Sequence, residues 1–285
     1  MTTRRELLKA LAGYVGVTSI PYGYAWQVEP RWVEYVVRPL PIPQLPTQLA
    51  GKMLVQFSDL HIGTKLEDQF FEQHFRQVSS LNPDFVVYTG DFVSAEDVHR
   101  LNRFEKVIAA ASKGSCGTFA VLGNHDYGHQ WRDRAVASNV QAILANVGIK
   151  TLRDEVEMIA GLAIIGTEDY WSSQWNGHKV ATILADLNGS AAVALCHNPV
   201  AVDEPIWRDY QGMILSGHTH GGQFRFPIFN NPAILVARNK AYVEGEIALG
   251  NGRFLYVNRG LGSSPIQFRF NSRPEITLWI LTPAV

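Results

Sequence analysis

Gly212-Met-Ile-Leu-Ser-Gly-His-Thr-His220 is a short apolar run that stops in glycine and histidine. A run this brief, rich in aliphatic residues and bounded by turn formers, reads as a buried strand. The same device recurs upstream. Met53-Leu-Val-Gln-Phe57 ends in Ser58-Asp59-Leu60-His61, Phe85-Val-Val-Tyr-Thr89 in Gly90-Asp91, and Thr118-Phe-Ala-Val-Leu122 in Gly123-Asn124-His125-Asp126. Ala192-Val-Ala-Leu195 runs into Cys196-His197-Asn198. Five separate elements therefore bring polar groups to strand ends.

Between these runs, Phe71, Phe75 and Val78, and then Val136, Val140, Ile143, Leu144 and Val147, recur at helical spacing. Strands alternating with amphipathic helices make βαβ units, and open α/β sheets bind ligands outside the carboxyl ends of their strands. Beyond His220 the pieces Ile234–Ala237, Ala241–Ala248, Phe254–Asn258 and Ile276–Leu281 are separated by Gly, Asn and Pro, and predict antiparallel strands that complete a second sheet. The expected fold is α/β: two mixed β-sheets packed face to face and flanked by helices, four layers in all.

The 285 residues suffice for one large domain or two small ones, and 46% hydrophobic residues exclude disorder. Acids (26) and Lys plus Arg (25) leave a net charge of -1, so no bulk attraction to nucleic acid is expected. No apolar stretch reaches the ~18 residues of a membrane span. Cys116 and Cys196 lack a CxxC partner and read as small buried hydrophobes.

The opening MTTRRELLK, followed by a weakly apolar stretch to Tyr22, predicts an export segment over residues 1–25. Arg4 and Arg5 resemble a twin-arginine signal, with Gly23-Tyr24-Ala25 as a small-x-small cleavage site; an amphipathic N-terminal helix is the alternative. That signal implies the twin-arginine export machinery as a partner and a location on the outer side of the cytoplasmic membrane. Pro39, Pro41, Pro43 and Pro46 mark residues 26–51 as a connector with an edge strand over Val33–Arg38, and place the compact domain at 52–285.

Asp59, His61, Asp91, Asn124, His197, His218 and His220 offer oxygen and nitrogen donors without thiolate. Such a set suits Mn, Fe, Zn or Co and disfavours a structural zinc site. Two divalent ions ~3.5 to 4 Å apart would use the whole set and form the clamp employed in phosphate-ester hydrolysis. Asp59-Leu60-His61 and His218-Thr219-His220 place like-facing donors two apart, the period of an extended segment, so both pairs can chelate. Taken singly, any one of these residues could be a turn former, a helix cap or a structural histidine.

In order and approximate spacing, Asp59-Leu-His61, Gly90-Asp91, Gly123-Asn124-His125-Asp126, His197 and Gly217-His-Thr-His220 resemble the calcineurin-like metallophosphoesterases. Gly217-His-Thr-His-Gly-Gly-Gln223, Asn258-Arg-Gly-Leu-Gly262 and the twin-arginine start resemble its exported bacterial branch, which includes phosphodiesterases and enzymes that cleave the pyrophosphate of UDP-diacylglucosamine. The resemblance implies a first metal held by Asp59, His61, Asp91 and His220, and a second held by Asp91, Asn124, His197 and His218, with Asp91 bridging. It implies a bridging hydroxide as nucleophile, and His125 as the histidine that stabilises the transition state or protonates the leaving group.

Gly90-Asp91 is followed by Phe92-Val93-Ser94-Ala95 and not by the Asp-Arg pair of Gly-Asp-x-x-Asp-Arg, which argues against a phosphoprotein substrate and leaves the orienter of His125 open. Arg259 in its glycine-rich segment is a candidate phosphate anchor, or a salt-bridge residue beside a tight turn; Asn198 is a further candidate substrate contact. Phe224, Phe226, Pro227, Ile228 and Phe229 would either select a lipid-linked substrate or build the second sheet. The expected activity is thus hydrolysis of a small-molecule phosphodiester or pyrophosphate. A non-catalytic metal-binding envelope scaffold that keeps the fold is the competing reading.

Overall fold

Alternation along each strand sets what the sandwich buries, and so where its ends point. A computed structural model describes residues 21–94, 98–187, 189–207, 209–225 and 241–284. Arg4, Arg5, Phe226–Phe229 and Ile234–Ala237 lie outside them. In chain order the strands are β1 (Glu34–Ile42), β2 (Met53–Phe57), β3 (Phe85–Thr89), β4 (Gly117–Val121), β5 (Lys150–Thr151) and β6 (Glu155–Ile159). There follow β7 (Leu162–Gly166), β8 (Ala192–Leu195), β9 (Gly212–Ser216), β10 (Gly245–Gly250), β11 (Arg253–Val257) and β12 (Glu275–Pro283). The helices are α1 (Asp68–Ser79), α2 (Val98–Ile108), α3 (Arg134–Asn146) and α4 (Gly177–Asp186).

Two six-stranded sheets result, ordered β1-β12-β2-β3-β4-β5 and β10-β11-β9-β8-β7-β6. Both are mixed: β2, β3, β4 and β5 run parallel, as do β7, β8 and β9, while β12 is antiparallel to β2 and β6 to β7. Leu54, Phe85, Val87, Phe119 and Val121 meet Ile164, Val193, Leu195 and Leu215 in the core between the sheets. Their neighbours Val55, Phe57, Val86, Tyr88 and Ala120 face the other way, onto Phe71, Phe75, Val78, Val140 and Leu144 of α1 and α3. On the far side, Ile165, Ala194 and Ile214 cover Val180 and Leu184 of α4. Asp133 caps α3 by accepting from the Ala135 and Val136 amides at 2.9 and 3.2 Å.

Three expectations change. β12 joins the first sheet and not the second, and β11 runs parallel to β9; both pairings span long sequence distances that local pattern cannot encode. β1 reaches Ile42, beyond the expected edge strand, although it contains Pro39 and Pro41. As an edge strand paired only with β12, it can direct both imide nitrogens, two residues apart, to its free side. Folded structure also begins upstream of Lys52, because Ala25 is fully buried and its carbonyl accepts from the Arg269 amide at 2.9 Å. Cys116 and Cys196 are free thiols; Cys196 is buried and Cys116 half-buried.

Candidate metal centre

Parallel strands that start in register end together, so the carboxyl ends of β2, β3 and β4 lie side by side opposite those of β8 and β9. Gln56 pegs the two sheets beneath that edge, its amide donating to the Ser216 carbonyl at 3.1 Å and its oxygen accepting from Trp279 at 3.2 Å. All seven predicted donors arrive here, and none is more than 6% exposed. Asp59, His61 and His220 form one cluster, and Asp91, His197 and His218 a second, each with donor atoms within 4.8 Å of one another.

Asp91 joins the two. Its Oδ2 lies 3.4 Å from His61 Nε2 in the first cluster and 3.3 Å from His197 Nε2 in its own. The other oxygen, Oδ1, accepts the His125 amide at 2.9 Å and so fixes the loop that carries Asn124 and His125. Asp126 fastens the same loops, accepting from Val93 at 3.1 Å and Gly123 at 2.9 Å.

The donors leave the strands through left-handed backbone: φ is 50° at Asp59, 46° at His61, 54° at Asp91, 73° at His218 and 52° at His220. The extended geometry expected for the two chelating pairs is therefore replaced by turns, and His218 and His220 serve different clusters. Left-handed geometry costs an L-residue roughly 1–2 kcal/mol, and the surrounding hydrogen bonds hold it in place. Glycine makes the approach possible. A Cβ at Gly217 would overlap Ser58 Oγ and Asp59 Oδ2, and one at Gly90 would stand 2.6 Å from the Gly123 amide nitrogen and 2.7 Å from His197 Nδ1.

Hydrogen bonds behind the donors set their orientation. His197 Nδ1 donates to the Thr89 carbonyl at 2.7 Å, which aims Nε2 at Asp91; His61 Nδ1 meets Ser94 Oγ at 3.0 Å. Asp59 accepts from Ser58 Oγ at 2.6 Å and from the His218 amide at 2.9 and 3.0 Å. The fully buried Arg269 holds the Gly260 carbonyl at 3.0 Å and that of Arg259 at 2.9 Å, and lies 3.4 Å from His220 Nδ1.

Burial pushes His61 and His218 down to about 3 and holds His220 well below the usual range, so all three imidazoles are neutral at physiological pH. Burial alone would raise Asp91, but His197 and His125 outweigh it and hold the carboxyl well below its ordinary value. Burial raises Asp59 to about 6.

These residues fit divalent cations. His61 Nε2 and His220 Nε2 stand 3.1 Å apart, and His218 Nδ1 and His197 Nε2 3.3 Å apart, ring nitrogens that converge closely enough to share a cation. Asn124 Oδ1 and His218 Nε2 are buried and have no hydrogen-bond partner among the described residues. The arrangement is that of a two-cation centre made for Lewis-acid chemistry on an anionic ester.

His125 is half-buried, with its ring centroid 5.0 Å from that of His61 and 6.2 Å from that of Trp131. Among the described residues no side chain hydrogen-bonds its ring, so packing and the backbone bond to Asp91 orient it. Asn198 caps the following turn through the Val200 amide at 3.1 Å, and its Nδ2 is buried without a partner among the described residues. Arg259 takes the salt-bridge alternative and not the phosphate anchor: its guanidinium pairs with Glu275 at 2.7 Å and Glu34 at 2.8 Å.

A sixth strand end escaped the sequence reading. β7 stops in Thr167-Glu168-Asp169, and Asp169 is fully buried, its Oδ2 without a partner among the described residues; burial pushes its carboxyl up to about 7. The signal was present, since Leu162-Ala-Ile-Ile-Gly166 is another apolar run that ends in acids.

The fold and this centre define a metal-dependent phosphoester hydrolase. Residues 53–222 match the family described as calcineurin-like phosphoesterase, and the chain belongs to that family. It is 30% identical to the phosphodiesterase YaeI of Escherichia coli, across 98% of both chains. It is 28% identical to the uncharacterized metallophosphoesterase YkuE of Bacillus subtilis, covering 98% of this chain and 97% of that one. With the UDP-2,3-diacylglucosamine pyrophosphatase LpxG of Chlamydia muridarum it shares 28% identity over 94% of this chain and 95% of the other.

Proposed function

We propose that the chain hydrolyses phosphodiester or pyrophosphate bonds in a small molecule, with a nucleotide-linked or lipid-linked envelope compound as the substrate class. The observation that carries this reading is Asp91, whose one carboxylate faces both donor clusters and anchors the His125 backbone. Asp59, His61 and His220 would hold one cation, Asn124, His197 and His218 the other, with Asp91 shared. When bound, the two cations supply Lewis-acid activation of water and neutralise charge on the phosphate. His125, half-buried at the rim, donates a proton to the departing oxygen or stabilises charge on the phosphoryl group. Asn198, whose Nδ2 is a buried donor with no acceptor among the described residues, would meet an ester oxygen.

The diester or pyrophosphate preference is supported by the missing Asp-Arg pair after Gly90-Asp91, by the engagement of Arg259 with carboxylates, and by similarity to the phosphodiesterase YaeI and the pyrophosphatase LpxG. Manganese-loaded protein should cleave bis(p-nitrophenyl) phosphate faster than p-nitrophenyl phosphate. The reverse order would reject the preference, and no cleavage of either would reject the hydrolase. We also assign the chain to the outer side of the cytoplasmic membrane, on the strength of Arg4 and Arg5; a periplasmic reporter fused after residue 25 should be exported, and an Arg4→Lys, Arg5→Lys pair should retain it inside.

A further inference from the structure

Trp131 stands in left-handed backbone, φ 60°, directly after Gln130 at φ 55°. For a bulky aromatic residue this is a genuine outlier, and two in succession persist only where the surroundings over-determine them. The result is a specific placement. The Trp131 ring stacks on Trp171, centroids 5.1 Å apart and planes within 22°. Trp171 in turn meets the donor His218 edge-on at 4.4 Å, and Trp131 meets His125 at 6.2 Å. A pair of flat indoles thus walls the metal centre on the side of its rim histidine. Both rings are half-buried, and Trp171 Nε1 is a buried donor with no acceptor among the described residues. An unpaired buried N–H is costly unless something arrives to accept from it.

From this arrangement, and resting on the phosphoesterase reading above, we infer that Trp131 and Trp171 form a subsite for a planar heterocycle joined to the scissile phosphate, so that the preferred substrates are nucleotide-linked. A nucleotide matches both features: a base whose π-face stacks on the indoles, and ribose or phosphate oxygens outside the base plane that can accept from Trp171 Nε1. An acyl chain has no π-face to stack.

Isothermal titration of manganese-loaded full-length protein with uridine 5′-monophosphate, adenosine 5′-monophosphate and ribose 5-phosphate tests this. The nucleotides should bind about 5- to 150-fold more tightly than ribose 5-phosphate, the range that base–aromatic stacking supplies. In Trp131→Ala that ratio should collapse toward one, and in Trp131→Phe it should be largely restored, which loss of folding cannot imitate. A ratio near one in the unmutated protein, or a ratio that Trp131→Ala leaves intact, overturns the subsite. Bis(p-nitrophenyl) phosphate hydrolysis by the same preparation separates the two claims: an active enzyme with no nucleotide preference rejects the subsite alone, whereas an inactive one rejects the hydrolase and with it the subsite.

Discussion

The interior of the sandwich and the loops at its carboxyl edge are built by opposite rules. β3, β7 and β9 are buried at every position, and their apolar side chains alternate between two cores. Two to four residues beyond the ends of β2, β3 and β9, Asp59, His61, Asp91, His218 and His220 turn through positive φ and bury carboxylates and imidazoles. The strands contribute stability, and the loops consume part of it to hold donors that only a cation satisfies. Damage to the two regions should therefore read out differently, in stability for the strands and in metal content and turnover for the loops.

The largest effect belongs to the shared carboxylate. Asp91→Ala should drop bound metal from two ions toward none by elemental analysis, and cut turnover by about 10³-fold or more, since several kcal/mol of charge stabilisation go with the ions. Unchanged metal content would remove Asp91 from between the clusters. His125→Ala should lower turnover by roughly 10²–10⁴-fold while both ions stay bound, the loss expected for one proton-transfer group. Full activity would make His125 structural, whereas a wild type that holds both ions and cleaves nothing would favour the scaffold reading.

Leu215→Ala, in the core between the sheets, breaks the comparison from the other side: it should cost ~2–5 kcal/mol in urea unfolding and leave metal stoichiometry intact in the folded fraction. Ser94→Ala, which removes the oxygen behind His61 Nδ1, should weaken metal binding by about 10- to 100-fold in a competition titration and leave the fold alone.

The smallest effect concerns pH in the metal-free protein. Asp169 titrates near 7 because it is buried, above the ordinary 3.8 of an aspartate. Its neutral form is the one that folding favours, so its contribution to stability is complete below 3.8 and is lost as pH rises through about 7. Asp169→Asn should consequently raise the melting temperature most at pH 8, less at pH 5, and hardly at all below 3.8. A larger gain at pH 5 would contradict the burial.

What could be read from the chain follows the same division. Strand runs such as Phe85–Thr89, which coincides with β3, and Gly212–Leu215, one residue short of β9, are local signals and were legible, as was the gathering of polar residues after them. The left-handed turn at His218 was not, because positive φ at a histidine leaves no compositional mark, although the family resemblance already divided His218 and His220 between two metals. Nor were the placement of β12 beside β2, the engagement of Arg259 with Glu34, or the stacking of Trp131 on Trp171, since each depends on a contact that only the folded chain makes. β7 and Asp169 were a missed repetition of a visible pattern.

The account rests on donors from both sheets meeting round two ions. Anomalous diffraction from crystals grown with manganese tests that most directly. It should show two peaks ~3.5–4 Å apart with the Asp91 carboxylate between them. A single peak, or two peaks that do not share Asp91, would contradict it.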